Sequence, residues 1–214
     1  MKIIEPSVEF VNAPDYQTLM KTIEAAGRTC YKSEDLIKDG SAEEMVRKFL
    51  SWGHESPIEH ASVTVRIICD RGVSHEIVRH RLASYSQEST RYCNYSKDKF
   101  GREIMVIRPC TICEDTDAYR IWKRCCENSE LAYFDMLDAG CTPQEARSVL
   151  PNSLKTEVVM TANMREWRHF FKLRTTKGAH PDMRKVALML LDKFEEKYPA
   201  FFDNLLDVHT ERKM

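Results

Sequence analysis

The segment Arg79-His80-Arg81-Leu82-Ala83-Ser84-Tyr85-Ser86-Gln87-Glu88-Ser89-Thr90-Arg91-Tyr92 concentrates more potential chemistry than any other part of the chain. Three arginines, one histidine and four hydroxyl residues (Ser84, Ser86, Ser89, Thr90) fall between Arg79 and Arg91, against a single acid, Glu88. Guanidinium forks and hydroxyls are the donors that phosphate and pyrimidine oxygens need, and tyrosines can stack on a ring. The plain alternative is a solvated basic turn, because charge clusters commonly sit in water and contribute little. Residue types alone leave these two readings balanced.

The rest of the chain narrows what such a cluster could serve. Its seven glycines stand at 27, 40, 53, 72, 101, 140 and 178, never close enough for a G-x-G-x-x-G or P-loop cradle. A phosphorylated ligand must then be held by arginines, hydroxyls and helix N-termini. Lys plus Arg (32) nearly cancels Asp plus Glu (33), so the overall field favours neither nucleic acid nor an anionic membrane. With 43% hydrophobic and 30% charged residues, 214 positions suit one globular domain, 1–214, with a sizeable core. The start MKIIEPSVEF has no apolar h-region, and Val186 to Leu191 is far too short to span a bilayer, which predicts a cytoplasmic protein without a membrane partner.

Two metal readings fail on spacing. Cys110-x-x-Cys113 has only the adjacent Cys125 and Cys126 nearby, not the second half of a zinc ribbon, so the eight cysteines are expected to be reduced thiols. His54-Glu55 would need a histidine at 58 for a metalloprotease helix, but Ile58 stands there and Pro57 spoils the helix. No metal site is expected.

The elements that must position the cluster read as α+β, since strands and helices alternate irregularly. Ser41-x-x-Glu44 before Met45, Phe49 and Leu50 predicts a capping box and a helix ending near Gly53. Val63, Val65 and Ile67 alternate with polar residues as a half-buried strand that stops at Asp70-Arg71-Gly72, and Ser74 is expected to cap a helix through Arg79. Ile104 to Ile107 and Val158 to Ala162 are further strand candidates. Tyr119 to Leu137 reads as a helix with Trp122, Cys125 and Phe134 inward, stopped by Gly140. Thr142-Pro143-x-Glu145 repeats the capping pattern; helices are also expected from Asn163 to a break near Gly178, and again after Pro181.

Arg79-His80-Arg81, seven further residues, Ser89, and then Arg91-Tyr92 closely resemble the signature of flavin-dependent thymidylate synthases. The resemblance extends to His54-Glu55-Ser56-Pro57-Ile58-Glu59-His60, Ala146-Arg147-x-x-Leu150-Pro151, Asn163-x-Arg165 and Leu173-Arg174, in order and spacing, over about residues 28 to 190. Glu76 stands where other members carry Gln, and His169 where Asn is common.

The resemblance implies a fold with a central mixed or antiparallel sheet flanked by helices, assembling as a homotetramer with sites shared between chains. It implies reductive methylation of dUMP to dTMP, with 5,10-methylenetetrahydrofolate as carbon donor and FAD, reduced by NADPH, as hydride carrier. His54, Ser56, Arg79, His80, Arg81, Gln87, Asn163, Arg165 and His169 would surround FAD. Glu76, Arg79, Gln87, Ser89, Thr90, Arg91, Arg147 and Arg174 would hold dUMP, with Arg91 and Arg147 on its phosphate and Arg174 as the group that activates uracil. No cysteine nucleophile is implied, and Ser89 is assigned to binding because no histidine follows at a spacing that suggests a base. The rival from another class is a non-catalytic nucleotide- or RNA-binding module, which predicts steeply salt-dependent affinity and no chromophore. Taken without the resemblance, Ser56 and Asn163 would be helix caps, Arg165 a surface charge and His54 a satisfied, partly buried histidine.

Overall fold

A computed structural model describes residues 1–202. In chain order it contains β1 (Lys2–Ile4), β2 (Ser7–Asn12), α1 (Tyr16–Tyr31), α2 (Ser41–Trp52), β3 (Ser62–Asp70), α3 (Arg71–Ile77) and β4 (Ala83–Gln87). There follow β5 (Met105–Ile107), α4 (Asp117–Asp138), α5 (Pro143–Ala146), β6 (Lys155–Asn163), α6 (Met164–Arg174) and α7 (Pro181–Lys197). The chain is thus α+β, with mixed sheets flanked by helices. β1 and β5 pair in parallel, Ile3 opposite Val106, while the larger sheet runs in the order β2-β3-β6-β4. Among the described residues no helix is long and apolar enough to cross a membrane.

Two compact units can be distinguished: the first comprises Met1–Ser7, Ile67–Arg79 and Ser86–Val158, the second Val8–Arg66, His80–Tyr85 and the chain from Val159 on. β3 and β6 each bury every second residue, Val63, Val65, Ile67 and Cys69 on one and Thr156, Val158, Met160 and Ala162 on the other, as a period of two requires. In the second unit α6 buries Met164, Trp167, Phe170 and Phe171 on one stripe. Trp167 packs on Phe194 of α7 with ring centroids 4.9 Å apart, and its Nε1–H donates to Val63 O at 3.2 Å, so the polar end of the ring is satisfied in the core. The first unit closes around Tyr95, Ile104, Val106, Tyr133, Phe134 and Leu154, with Cys126 and Ala146 filling the gaps.

Several local expectations need correction. α2 starts without a capping box: Gly40, at φ 80°, is the N-cap, and the Ser41 hydroxyl lies within donating distance of Lys38 O at 2.7 Å and of Oε2 of buried Glu24 of α1 at 3.0 Å. α3 begins directly where β3 ends, so Asp70 caps it, accepting from Val73 N–H at 2.8 Å. Ser74 lies inside the helix and donates to Arg71 O. On α4 Cys126 is buried and Cys125 exposed, because Cys126 shares a face with Tyr133 two turns on. Residues Pro57–His60 form a 3-10 turn, and Ser56 makes no capping bond there. Gly140, at φ 94°, follows the end of α4 as expected, and Glu145 Oε2 accepts from Thr142 N–H at 2.7 Å at the start of α5. All eight cysteines are free thiols.

Candidate active site

β6 ends and α6 begins at Asn163, whose Oδ1 accepts from Glu166 N–H at 2.9 Å. This cap turns the chain so that the first two turns of α6 line a cavity of about 670 Å³ in the second unit. Its wall is Glu55, Glu59, Leu82, Asn163, Arg165, Glu166, Arg168, His169 and Lys172. Such a volume lies within the range of about 300–1,000 Å³ common to ligand sites. Arg165 is not a solitary surface charge: its Nε lies 3.3 Å from Glu55 Oε2 and its Nη1 2.5 Å from Glu59 Oε1. Arg168, buried in the same wall, bonds the carbonyl of Phe201, and burial lowers its pKa.

His80 is the most deeply buried of the motif histidines, at 4% exposure. Its Nδ1 lies 2.9 Å from Glu166 Oε1, and its Nε2 accepts from Arg174 Nε at 3.0 Å. Burial first, and the positive charge of Arg174 after it, push His80 below the ordinary imidazole value against the opposing pull of Glu166. The ring packs on Phe170 at 4.9 Å and edge-on to His169 at 5.8 Å. Tyr85 Oη donates to His80 O at 2.5 Å, and burial, with Glu166, drives that phenol up to about 12. His80, Glu166 and His169 also bring possible metal-ligand atoms within 4.8 Å of one another.

A second concavity in this unit is lined in part by Gly27, Tyr31, Phe49, His54, Ser56 and Arg165. His54 is exposed, stacked 6.4 Å from Tyr31, with the phenol oxygen 2.9 Å from its Nδ1. Trp52 meets its edge at 5.6 Å. His60, to which no role fell, is exposed.

The first unit holds most of the residues expected around dUMP. Gln87, at the end of β4, donates through Nε2 to Ser74 Oγ at 2.9 Å and Thr156 Oγ1 at 3.2 Å, which fixes its amide. Glu88 accepts from Lys155 at 2.9 Å and from Tyr95 Oη at 3.1 Å. Burial works to lower the Lys155 pKa, but its bonds to Glu157 and Glu88 leave it raised. That network anchors the start of the loop carrying Ser89, buried Thr90 and exposed Arg91. Arg91 Nε donates to Gln144 Oε1 at 3.1 Å, bringing the loop to the start of α5, and Arg147 is exposed just beyond that helix. Glu76 on the last turn of α3 and exposed Arg79 just beyond that helix face each other at 4.0 Å.

The structure therefore sorts the expected residues in a simple way. His54, Ser56, His80, Arg81, Asn163, Arg165, His169 and Arg174 belong to the second unit; Glu76, Arg79, Gln87, Ser89, Thr90, Arg91 and Arg147 belong to the first. Spacing missed Glu166, Glu55 and Glu59 as partners of the motif residues. Glu166 could be found only as the third helical residue after an Asn cap, because its partner His80 stands 86 positions away.

A family model described as thymidylate synthase complementing protein matches residues 15–200. The flavin-dependent thymidylate synthase of Pyrococcus furiosus is 34% identical over 172 residues, 80% of this chain and 70% of that one. Its counterpart from Geobacter sulfurreducens is 35% identical over 184 residues, 83% and 78% of the two chains. A solved structure of the UMP/dUMP methylase PolB from Streptomyces cacaoi, bound with 5-Br dUMP, superposes with a TM-score of 0.77 over 95% of this chain and 96% of that one. At 24% identity, that likeness is one of fold.

Proposed function

The chain belongs to the thymidylate synthase complementing protein family, and from that premise we propose that it methylates dUMP reductively to dTMP, releasing tetrahydrofolate. The observation that carries the reading is that the family match, residues 15–200, contains every one of the motif residues, and Asn163, Arg165 and His169 among them line the cavity at the start of α6. In the net reaction the C5 hydrogen of uracil is replaced by a methyl group whose carbon comes from methylenetetrahydrofolate. Reduced FAD, when bound, would supply the hydride, with NADPH restoring its reduced form.

The residues fit a flavin dinucleotide chemically. A pyrophosphate needs guanidinium and hydroxyl donors, and Arg79, Arg81, Arg165 and Ser56 are exposed. The amide ends of Asn163 and Gln87 and the rings of His54 and His169 suit a polar, aromatic cofactor. His80, with both ring nitrogens bonded within the chain, would serve the site through its partners.

Each residue's work on the substrate follows from its charge. Arg91 and Arg147 would bind the dUMP phosphate through charge-assisted bonds, and Glu76, Gln87, Ser89 and Thr90 would orient the nucleotide, with Arg79 serving both ligands. Arg174 would stabilise the negative charge that develops on uracil N3 and its flanking carbonyls as C5 becomes nucleophilic. A permanently charged guanidinium suits this, and losing one such stabiliser costs about 2.7–4 kcal/mol in other enzymes. The chain would act as one domain, 1–214, in a cytoplasmic homotetramer.

The visible spectrum of the purified protein tests this reading. A two-banded flavin absorption that bleaches with NADPH under anaerobic conditions is expected. A colourless protein that also fails to take up added FAD would leave the arginine cluster as a nucleotide-binding surface.

A further inference from the structure

Arginine keeps its Nε proton at every accessible pH, so Arg174 Nε can only donate to His80 Nε2. His80 Nε2 must then be the unprotonated nitrogen, and the ring proton of the neutral imidazole lies on Nδ1, where it is donated to Glu166 Oε1 at 2.9 Å. Only this tautomer satisfies both bonds. All three partners lie in the second unit, and Glu166 and His80 are 5% and 4% exposed, so little water competes for either position. The rings of Phe170 and His169 hold the imidazole plane from the side, and the bond from Tyr85 fixes the backbone that carries it.

We propose that Glu166 is a positioning residue that acts through His80: it fixes the tautomer and ring orientation of His80, and thereby the plane of the Arg174 guanidinium. The inference rests on the proposed role of Arg174 in uracil activation. A planar guanidinium presents its donors in a fixed fork, so a hydrogen bond on Nε constrains where the terminal nitrogens can point. An arginine on a flexible stem would otherwise spread over many rotamers, and stabilising charge on one ring atom demands a defined approach. The same cluster is poorly suited to a divalent ion, although His80, Glu166 and His169 lie close together. An ion on Nδ1 would replace the proton that bonds Glu166, beside the fixed positive charge of Arg174.

The test uses the FAD-loaded enzyme with ¹⁵N-labelled histidine. In the wild type, His80 is expected to give a protonated-type Nδ1 signal and an unprotonated-type Nε2 signal, both absent from the spectrum of His80→Asn. Arg174→Ala leaves the carboxylate that accepts from Nδ1, so Nδ1 should stay of the protonated type, whereas Arg174→Ala combined with Glu166→Ala frees both nitrogens and the two signals should move toward an average. Glu166→Ala is expected to lower kcat for dTMP formation by about ten- to a hundredfold, the size of effect seen for groups that orient catalytic ligands in metal sites, while the KM for dUMP changes less than about threefold. Glu166→Gln keeps an accepting oxygen and should restore kcat to within about threefold of wild type. A wild-type His80 protonated on Nε2, a Glu166→Ala enzyme of undiminished kcat, or a Gln variant no better than Ala would each overturn the proposal. If no variant, wild type included, makes dTMP, the reaction assigned to the site fails, while the relay still stands or falls on the ¹⁵N signals.

Discussion

Replacing Gly27 by alanine tests how tightly the second unit is built around the residues that line its cavities. Gly27 is buried in the last half of α1, facing Phe49 of α2. A Cβ there would fall 3.0 Å from Phe49 Cε1 and closer still to Cζ and Cε2, against an optimum of about 3.5–4.0 Å between carbons. Phe49 is fully buried, so its ring must be pushed toward the concavity that it and Gly27 help to line, or the helices must yield. Overpacking of this kind costs about 1–3 kcal/mol, and three clashing ring atoms place it at the upper end. Helix propensity returns about 1 kcal/mol, because alanine is better than glycine in a helix interior. The net expectation is a loss of about 1–2 kcal/mol, or a fall in Tm of about 2–8 °C for a chain of this size. Thermal melts followed by circular dichroism measure it, and Gly27→Ala combined with Phe49→Leu should recover part of the loss, because the two sites share one contact. A Gly27→Ala protein as stable as the wild type, or more so, would refute the packing argument.

Further expectations concern the site. Arg174→Ala should lower the rate of dTMP formation about 10²- to 10³-fold, the cost of removing one preorganised charge stabiliser, with an unchanged far-ultraviolet spectrum. Arg91→Ala should act mainly on the dUMP KM, because a lost charge-assisted bond is worth about 1.5–3 kcal/mol in binding; an unchanged KM would remove Arg91 from the phosphate. Mixing Arg91→Ala and Arg174→Ala proteins should restore some activity if sites are shared between chains, and none if each chain is self-sufficient. The lowered pKa of His80 fixes a sign for stability against pH. Below the unfolded value of about 6.5, the unfolded chain takes up a proton that the folded chain still refuses, so stability falls with falling pH until the folded His80 also titrates. Denaturant unfolding of His80→Asn should lack that slope, and a variant with an unaltered slope would contradict the assignment.

What was legible in the sequence followed from locality. β3 and β6 declare themselves through alternation, and α4 through its helical period, since both patterns are written in adjacent residues. The boundaries drifted where two groups competed for one role: Asp70 took the cap expected of Ser74 because α3 starts immediately after β3. Ser41 is the first residue of α2 and not its cap, and its hydroxyl lies between Lys38 O at 2.7 Å and buried Glu24 at 3.0 Å. β4 was not foreseen. Ala83 to Gln87 has no apolar alternation, and its place is set by the strand beside it in the sheet. The arginine cluster was readable because it is contiguous, whereas the carboxylates that pair with residues of the site are remote: Glu166 lies 86 positions from His80 and Glu59 106 from Arg165. Long-range ion pairs leave no mark at the spacing of either partner.

On the proposed reading this chain makes dTMP with a flavin and without a cysteine nucleophile. That reading is tested most directly by incubating the FAD-loaded protein with dUMP, methylenetetrahydrofolate and NADPH, and separating the products. Equal amounts of dTMP and tetrahydrofolate are expected, both vanishing when FAD is withheld. Dihydrofolate in place of tetrahydrofolate, or dTMP formed without flavin, would contradict it.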